Sequence, residues 1–275
     1  MKAGRRRAGC GAAVVALILV TLLGRRWIVL GWNAWRYETA APTDRTQLVV
    51  DGGRAYVAAG VDGIEVVDVA SAKRVGLAAP VAPADRIDDL AIAEGWLFAL
   101  DATPPGHLLT YRIANGGLPA ATGAVVEVPV APFSGVAAAA GVVAVSGGTL
   151  QLTVREHDPA GHLSTEVASA DYGRGQPDVS LRPDGKLAAV STHLYGPEFA
   201  VTFVEVGQQP LRLRELGALP LRHAGFTRGG FKPAHFPLVT AWRGDRVYVV
   251  DGGGLAVIDV ADPAHPRELL RDRWA

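Results

Sequence analysis

Two segments near opposite ends of the 275-residue chain match each other closely. They are RAYVAAGVDGIEVVDVA, residues 54–70, and RVYVVDGGGLAVIDVAD, residues 246–262. Weaker copies begin at residues 96, 142 and 186, so the units start at steps of 42, 46, 44 and 60 residues. A step of about 45 residues is the period of a four-stranded propeller blade. The repeat therefore predicts five units of one kind, and it leaves open whether they close as a ring or represent a divergent or truncated form of a larger propeller.

The composition of these units is typical of strands and turns. From about residue 45 onward, short Val, Ile, Leu, Tyr and Phe runs alternate with Gly, Pro, Asn and Asp. One twisted four-stranded sheet buries too little surface alone, whereas radial packing of successive sheets covers both faces. We predict an all-β fold, a β-propeller spanning residues 46–275, preceded by one N-terminal transmembrane helix. The predicted blades are residues 46–80, 86–130, 133–172, 176–220 and 235–272.

The first 36 residues differ from the rest in charge and hydropathy. They contain seven basic and no acidic residues, and residues 8–24 are all uncharged, about the shortest run that crosses a bilayer as a helix. More basic residues precede this run than follow it directly, which favours a cytoplasmic N-terminus. We therefore expect residues 1–36 to be a single-pass signal-anchor in the cytoplasmic (inner) membrane, flanked by Trp27, Trp32 and Trp35, with residues 37–45 as a linker. The propeller would then face the periplasm or the cell exterior.

A cleaved signal peptide is the alternative for this segment. Such a peptide needs a small-residue cleavage site soon after the apolar run. The run instead ends in LLGRRW, and the next small-residue cluster, residues 39–41, lies well downstream. The sequence favours the retained anchor and leaves the cleaved form open.

Composition excludes several classes of protein. The chain has 27 basic and 27 acidic residues, so the residues after the basic N-terminus are mildly acidic and nucleic acid is not an expected partner. A hydrophobic content of 49% excludes disorder. Cys10 is the only cysteine, so no disulfide can form within the chain. We expect no cofactor.

Two of the repeats resemble a known family. The strings IEVVDVA and LAVIDVADPAHP resemble the LVIVD repeat of bacterial propeller proteins, and the last unit matches best. In that unit the pattern falls on Asp259, Val260, Asp262, Pro263 and Pro266. The fourth unit, through VSLRPDGKLAAVS at residues 179–191, resembles the broader YVTN-like propellers. These resemblances imply an architecture and frequent export, and they imply no particular reaction.

Few residues carry a recognisable chemical signature. Asp68 and Asp259 recur at equivalent places, which favours carboxylates that accept turn or cross-blade hydrogen bonds. Asp88 and Asp89 are neighbours in a strand and should point to opposite faces, so they are not a carboxylate pair, although one of them could line the axis and bind a cation. The seven histidines lack zinc-site spacing, and no nucleophile elbow or phosphate-binding loop is present. We predict no catalytic residue and no metal ligand.

An insertion interrupts the period between the fourth and fifth units. Residues 221–235 are basic and aromatic, with no acidic residue. An insertion in a repeat array is a loop, often on the binding face. The candidate ligand-binding residues are Arg222, His223, Arg228, Lys232 and His235 of this loop, with His193 and Tyr195 from a neighbouring one. The alternative is a flexible loop without a ligand.

Two functions remain open from sequence. The first is a membrane-anchored, non-enzymatic binding or scaffolding module, whose face loops contact a protein or an anionic ligand. The second is a hydrolase or lactonase-like enzyme with its site at the propeller channel mouth. A quinoprotein-type propeller is disfavoured because only Trp96, Trp242 and Trp274 lie in the domain. Several acidic or His side chains meeting at one channel mouth would favour the enzyme.

Overall fold

A computed structural model of the chain describes residues 48–113, 117–130, 134–147, 151–171, 178–193, 198–222, 238–251 and 254–273. These residues belong to one compact unit, Arg45–Ala275. Within them, strands form five four-stranded sheets, each an antiparallel meander in chain order. The strands are, in blade one, β1 (Leu48–Asp51), β2 (Arg54–Ala58), β3 (Ile64–Asp68) and β4 (Lys73–Ala78); in blade two, β5 (Asp89–Ala93), β6 (Trp96–Asp101), β7 (His107–Ile113) and β8 (Pro119–Glu127); in blade three, β9 (Gly135–Ala139), β10 (Val142–Gly147), β11 (Gln151–Glu156) and β12 (Ala168–Asp171); in blade four, β13 (Asp178–Leu181), β14 (Leu187–His193), β15 (Glu198–Gly207) and β16 (Arg212–Arg222); and in blade five, β17 (Leu238–Arg243), β18 (Arg246–Asp251), β19 (Gly254–Asp259) and β20 (Arg267–Arg273).

The predicted all-β fold with five four-stranded blades is confirmed. The two matching segments form the same hairpin, the second and third strands of blades one and five. Arg54 pairs with Asp68 across the first hairpin, and Arg246 pairs with Asp259 across the second. The predicted N-terminal helix lies outside the described residues. Within the described ranges, no helix has the length and apolarity needed to cross a bilayer.

The buried apolar residues lie between consecutive blades. One core cluster joins blades one and two around Tyr56 and Leu97, and a second joins blades two and three around Phe98. A third joins blades three and four, and a fourth joins blades four and five around Phe203. Each blade therefore folds against its neighbours along the chain, as the repeat predicts.

The alanine-rich segment of blade three occupies an innermost strand, as its small side chains indicate. Strand β9 is Gly-Val-Ala-Ala-Ala and packs against β5 on one side and β13 on the other. This arrangement brings the first strands of blades two, three and four close together.

Strand direction defines the two faces of the propeller. Because the strands of a blade alternate in direction, the first strand begins where the second ends, the third begins and the fourth ends. We call this side the mouth face.

The predicted inserted loop begins later than expected. Leu221 and Arg222, which were predicted in this loop, are the last residues of β16, since they pair with Phe199 and Glu198.

Candidate functional site

Three inner strands begin side by side on the mouth face. Their first residues are Asp89 of β5, Gly135 of β9 and Asp178 of β13. A cavity of about 410 Å³, lined by the inner strands of blades one to four, begins at these residues. We call this cavity the channel. The two carboxylates are thus the charged groups at one end of this channel.

Both carboxylates approach the same glycine. A Cβ atom built on Gly135 would lie 3.0 Å from Asp178 Oδ1 and 3.3 Å from Asp89 Oδ2. Only glycine leaves both carboxylates room without displacement, since contacts this short are tighter than ordinary van der Waals packing. The absence of a side chain at residue 135 therefore permits the two acids to converge.

The convergent carboxylates accept hydrogen bonds from backbone amides of the blades. Asp89 Oδ2 accepts from the N–H of Val136 at 2.7 Å, and its Oδ1 accepts from the N–H of Leu90 at 2.8 Å. Asp178 Oδ1 accepts from the N–H of Val179 at 3.0 Å. The bond to Val136 connects blade two to blade three. Asp89 therefore acts as a joint between blades.

Ser146 is the hydroxyl nearest to this point. Its Oγ accepts from the N–H of Gly135 at 2.9 Å and lies 3.3 Å from the carbonyl oxygen of Gly135, to which it donates. The residue is fully buried. Because both hydrogen-bonding functions of the hydroxyl are used on the backbone, Ser146 fixes the start of β9 and is not placed as a nucleophile.

A second polar group lies beside the first, on the mouth face of blade two. Arg86 Nε donates to Asp88 Oδ1 at 2.7 Å, and Asp88 Oδ2 accepts from the N–H of Ala102 at 2.9 Å. The side chains of Asp101 and His107 complete the group, with His107 Nδ1 3.7 Å from Asp101 Oδ2. We call these four residues, Arg86, Asp88, Asp101 and His107, the blade-two polar group.

Burial decides the electrostatics of this group. The side chain of Asp88 is only 6% exposed. Burial raises the pKa of Asp88, against the opposing effect of the Ala102 amide and the Arg86 guanidinium, while the nearby Asp101 raises it further. Asp101 Oδ1 accepts from the N–H of Thr103 at 2.8 Å. The charges of this group are thus largely buried against one another and against the backbone.

The predicted opposite orientation of Asp88 and Asp89 is what the structure shows. Asp88 bonds within its own blade, whereas Asp89 bonds to Val136 of blade three. Asp89 lines the channel, as one of the two was expected to do. Within the described residues, no three His, Cys, Asp or Glu side chains are arranged to hold a metal ion.

The repeated aspartates have the structural role expected of them. Asp68 pairs with Arg54 and accepts from the N–H of Ser71 at 2.8 Å. Asp259 accepts from Arg267 Nη2 at 3.0 Å and from the N–H of Ala261 at 3.1 Å. The hydrogen bonds from Ser71 lower the pKa of Asp68, and the amide of Ala261 lowers that of Asp259. Both carboxylates therefore remain ionised and fix the turn after their strand.

Of the predicted ligand-binding residues, two lie on described backbone. His193 ends β14 and Arg222 ends β16, and both reach the mouth face of blade four. Their strands are separated only by β15, since His193 pairs with Phe199 and Arg222 with Glu198. The remaining candidates, Tyr195, His223, Arg228, Lys232 and His235, lie outside the described residues.

Sequence reasoning missed Asp178, Gly135 and the blade-two polar group. A signal for the first two was present. Aligning the starts of the inner strands in IDDLAIA, FSGVAAAA and PDVSLRP places Asp89, Gly135 and Asp178 at one repeat position. The blade-two polar group has no such signal, because Arg86 and Asp88 precede β5, Asp101 ends β6 and His107 begins β7, and these segments meet only in the folded blade.

Comparisons with known proteins agree with the fold. The LVIVD repeat family matches residues 44–74 and 241–271. No curated protein matches the sequence. Among solved structures, a candidate 6-phosphogluconolactonase from Bacteroides uniformis aligns with a TM-score of 0.58 at 15% identity, over 81% of this chain and 68% of that one.

Other solved structures show the same likeness. A second candidate 6-phosphogluconolactonase, from Bacteroides fragilis, gives a TM-score of 0.55 at 14% identity, over 82% of this chain and 70% of that one. Hsv2 of Kluyveromyces lactis gives 0.52 at 13% identity, over 82% and 72%. At these identities the likeness extends to the fold alone. The chain is therefore a five-bladed β-propeller that carries LVIVD repeats in its first and last blades.

Proposed function

We propose that this protein is a non-enzymatic binding or scaffolding module. The observation that carries the proposal is the use of the channel-mouth acids. Asp89 holds the amides of Val136 and Leu90, and Asp178 holds that of Val179. A general acid or base needs a proton-transfer position open to substrate. The use of Asp89 as a joint between blades two and three supports a rigid scaffold.

The surface that binds the ligand is proposed to be the mouth face of blade four. Strands β14 and β16 end on this face at His193 and Arg222, separated by β15. The sequence between Arg222 and β17 adds Arg228 and Lys232 and contains no acidic residue. Clustered cations attract anionic groups and steer their association. The proposed partner is accordingly an anionic ligand or an acidic protein surface.

Binding is tested with an acidic, glutamate-rich peptide as probe. The purified full chain is compared with a variant carrying Arg228→Gln and Lys232→Gln, and with a control carrying Arg212→Gln and Arg214→Gln at the opposite end of β16. We expect the first variant to weaken binding and the control to retain it. Equal binding by all three proteins contradicts the proposal for this face.

The location of the propeller is proposed from the N-terminal sequence. A basic N-terminus followed by an uncharged run and basic flank supports an anchor in the cytoplasmic membrane, with the propeller in the periplasm or outside the cell. Protease added to spheroplasts should then digest the propeller. Protection of the propeller in spheroplasts that are otherwise intact overturns this topology.

A lactonase-like enzyme is the second candidate, favoured by one observation. Two carboxylates converge at the end of a 410 Å³ channel, and two structural neighbours are candidate 6-phosphogluconolactonases. Hydrolysis of 6-phosphogluconolactone is measured with the full chain and with Asp178→Asn. If the parent chain hydrolyses the lactone faster than the spontaneous rate and Asp178→Asn does not, the enzymatic proposal replaces the binding proposal.

A further inference from the structure

A second cavity opens on the face opposite the mouth face, where blade four meets blade five. Its volume is about 550 Å³, within the range of about 300–1,000 Å³ of small-molecule sites. It is lined by residues around the turns that join β13 to β14 and β15 to β16, by Leu216 of β16 and by Pro263 of the turn between β19 and β20. We call this cavity the rear pocket.

The Asp-Pro-x-x-Pro turn of the last repeat forms one wall of the rear pocket. The turn is held by Asp262, whose Oδ1 accepts from the N–H of Ala264 at 3.1 Å and whose Oδ2 lies 2.8 Å from His265 Nδ1. The turn also reaches blade four, since a Cβ atom built on Gly217 of β16 would lie 2.7 Å from the carbonyl oxygens of both Pro263 and Ala264. Glycine at residue 217 therefore permits the close approach that brings Pro263 to the pocket.

Part of the lining of the rear pocket is apolar. Leu187 and Val206 are each 2% exposed and belong to the core clusters on the two sides of blade four. Leu216 packs against the cluster between blades four and five, and both Leu216 and Pro263 are half-buried. An apolar part of a ligand that lies against these side chains leaves water, and this transfer is favourable.

Two of the three charged residues that line the rear pocket are paired within the protein. Arg182 Nε and Nη2 donate to Asp184 Oδ1 and Oδ2 at 3.0 and 2.8 Å. Glu205 Oε2 accepts from Arg214 Nε at 2.8 Å. The third charged residue is Lys186, and only its backbone N–H contacts a carboxylate, at 3.1 Å from Asp184 Oδ1. Among the residues that the structure describes, its ammonium group has no hydrogen-bond or ion-pair partner.

The charge of the lining is positive. Its charged groups are two cations, Arg182 and Lys186, and one carboxylate, Glu205. The two acids near Arg182 are Asp184 and, at 3.6 Å from its Nη1, Asp245. Both of these acids line a neighbouring recess and not the rear pocket. The rear pocket therefore combines an apolar surface with one unpaired ammonium group.

We propose that the rear pocket binds a small organic acid. Its carboxylate pairs with the ammonium group of Lys186 in a charge-assisted hydrogen bond, and its apolar part lies against Leu216 and Pro263. An exposed ion pair alone contributes little affinity, so the apolar part of the ligand is required and acetate should not bind. This site goes beyond the binding proposed for the mouth face, because it lies on the opposite face and uses other residues.

Isothermal titration calorimetry of the purified full chain tests this site. The probe is phenylbutyrate, which has one carboxylate and an apolar body, and phenylbutanol is its uncharged counterpart. We expect the parent chain to bind phenylbutyrate about fivefold more tightly than phenylbutanol, because only the acid pairs with Lys186. Lys186→Gln should bind both compounds equally. Lys73→Gln, which changes an exposed lysine on the outer strand of blade one, is the matched control and should bind as the parent does.

A second variant tests the apolar wall. Leu216→Ala should weaken the binding of both compounds at least about threefold, because it removes apolar contact and leaves Lys186 in place. Circular dichroism checks that the variant is folded, and Pro263→Ala, on the facing wall, replaces it if it is not. The proposal is overturned if the parent chain does not bind phenylbutyrate, if the preference for the acid persists in Lys186→Gln, or if the folded wall variant binds as tightly as the parent.

Discussion

Asp89 of blade two and Val136 of blade three are joined by a hydrogen bond of 2.7 Å from the backbone amide to the carboxylate Oδ2. The two residues are the first of β5 and the second of β9, so the bond ties together the starts of two inner strands. Asp89 is 6% exposed, so water cannot easily replace this acceptor. The contact sets the spacing of the blades at the channel mouth.

Replacing Asp89 with Asn should destabilise the propeller. The amide side chain keeps one acceptor oxygen but cannot serve both Val136 and Leu90, and an unsatisfied buried amide costs about 1–3 kcal/mol. Urea unfolding of the two proteins measures the difference. Asp62→Asn, at an exposed turn position, is the control and should change stability by less than about 0.5 kcal/mol. Equal stability of Asp89→Asn and Asp62→Asn would show that the joint is energetically unimportant.

Gly135→Ala should destabilise the protein through crowding. The new methyl group would meet Asp178 Oδ1 at 3.0 Å and Asp89 Oδ2 at 3.3 Å, both held by backbone hydrogen bonds. Overpacking of this kind costs about 1–3 kcal/mol. Thermal unfolding provides the measurement.

Gly76→Ala is the matched control for that substitution. Its methyl group would come closer, 2.7 Å from Leu118 Cδ2, but this atom ends a flexible side chain that is 41% exposed. The leucine can move, so the cost should be smaller than at Gly135. A larger loss at Gly76 than at Gly135 would contradict the assignment of rigidity to the channel-mouth carboxylates.

Asp88 should make stability depend on pH in the acid range. Because burial raises its pKa in the folded state above the ordinary 3.8, the native protein holds the proton more tightly than the unfolded chain does. The stabilising contribution is complete below pH 3.8 and is lost as the pH rises through the raised value. Asp88→Asn cannot ionise, so its stability relative to the parent should increase with pH across this window. Urea unfolding at several pH values tests this, and a difference that is constant or decreases with pH would refute it.

Tyr111 should also make the protein less stable as the pH rises, in this case in the alkaline range. Burial raises its pKa from 10.0 to about 12, so the parent protein should lose stability as the pH rises from 10 toward 12, and Tyr111→Phe should lose less. At neutral pH the substitution should cost less than about 1 kcal/mol, because the hydroxyl lies 3.5 Å from the Ala79 carbonyl and contributes a weak hydrogen bond. Ultraviolet titration of the tyrosines, compared between the two proteins, checks the pKa directly. Ionisation of Tyr111 near pH 10 in the folded protein would disprove the effect of burial.

Local sequence was sufficient for the hairpins and for the roles of the repeated acids. Arg54 and Asp68 face each other across β2 and β3 because side chains of paired residues share one side of a sheet, and the matching hairpin of blade five, one residue shorter, places Arg246 opposite Asp259. The opposite orientations of Asp88 and Asp89 follow from the two-residue period of a strand. These relationships extend over a single turn, so they are readable from spacing.

The candidate site was less accessible to sequence reasoning. His193 and Arg222 were expected on one face and do end there, but the basic loop that follows stays a prediction. The repeat alignment places Asp178 and Asp89 at one position, but their approach to Gly135 depends on how the inner strands of blades two, three and four pack side by side. The burial of Asp101 and His107 near Arg86 and Asp88 likewise depends on how the ends of β6 and β7 lie beside the segment that precedes β5.

The sequence by itself predicted five repeated units and the four-stranded meander, because periodicity and turn chemistry act over a few residues at a time. Only the tertiary structure decided which carboxylates meet at the channel mouth and which inner strands are buried. Both depend on the packing of sheets against one another, where residues distant in sequence share a surface. The inner strand is mostly buried in blade two and mostly exposed in blade one, because burial depends on the neighbouring sheets as well as on the residues of the strand.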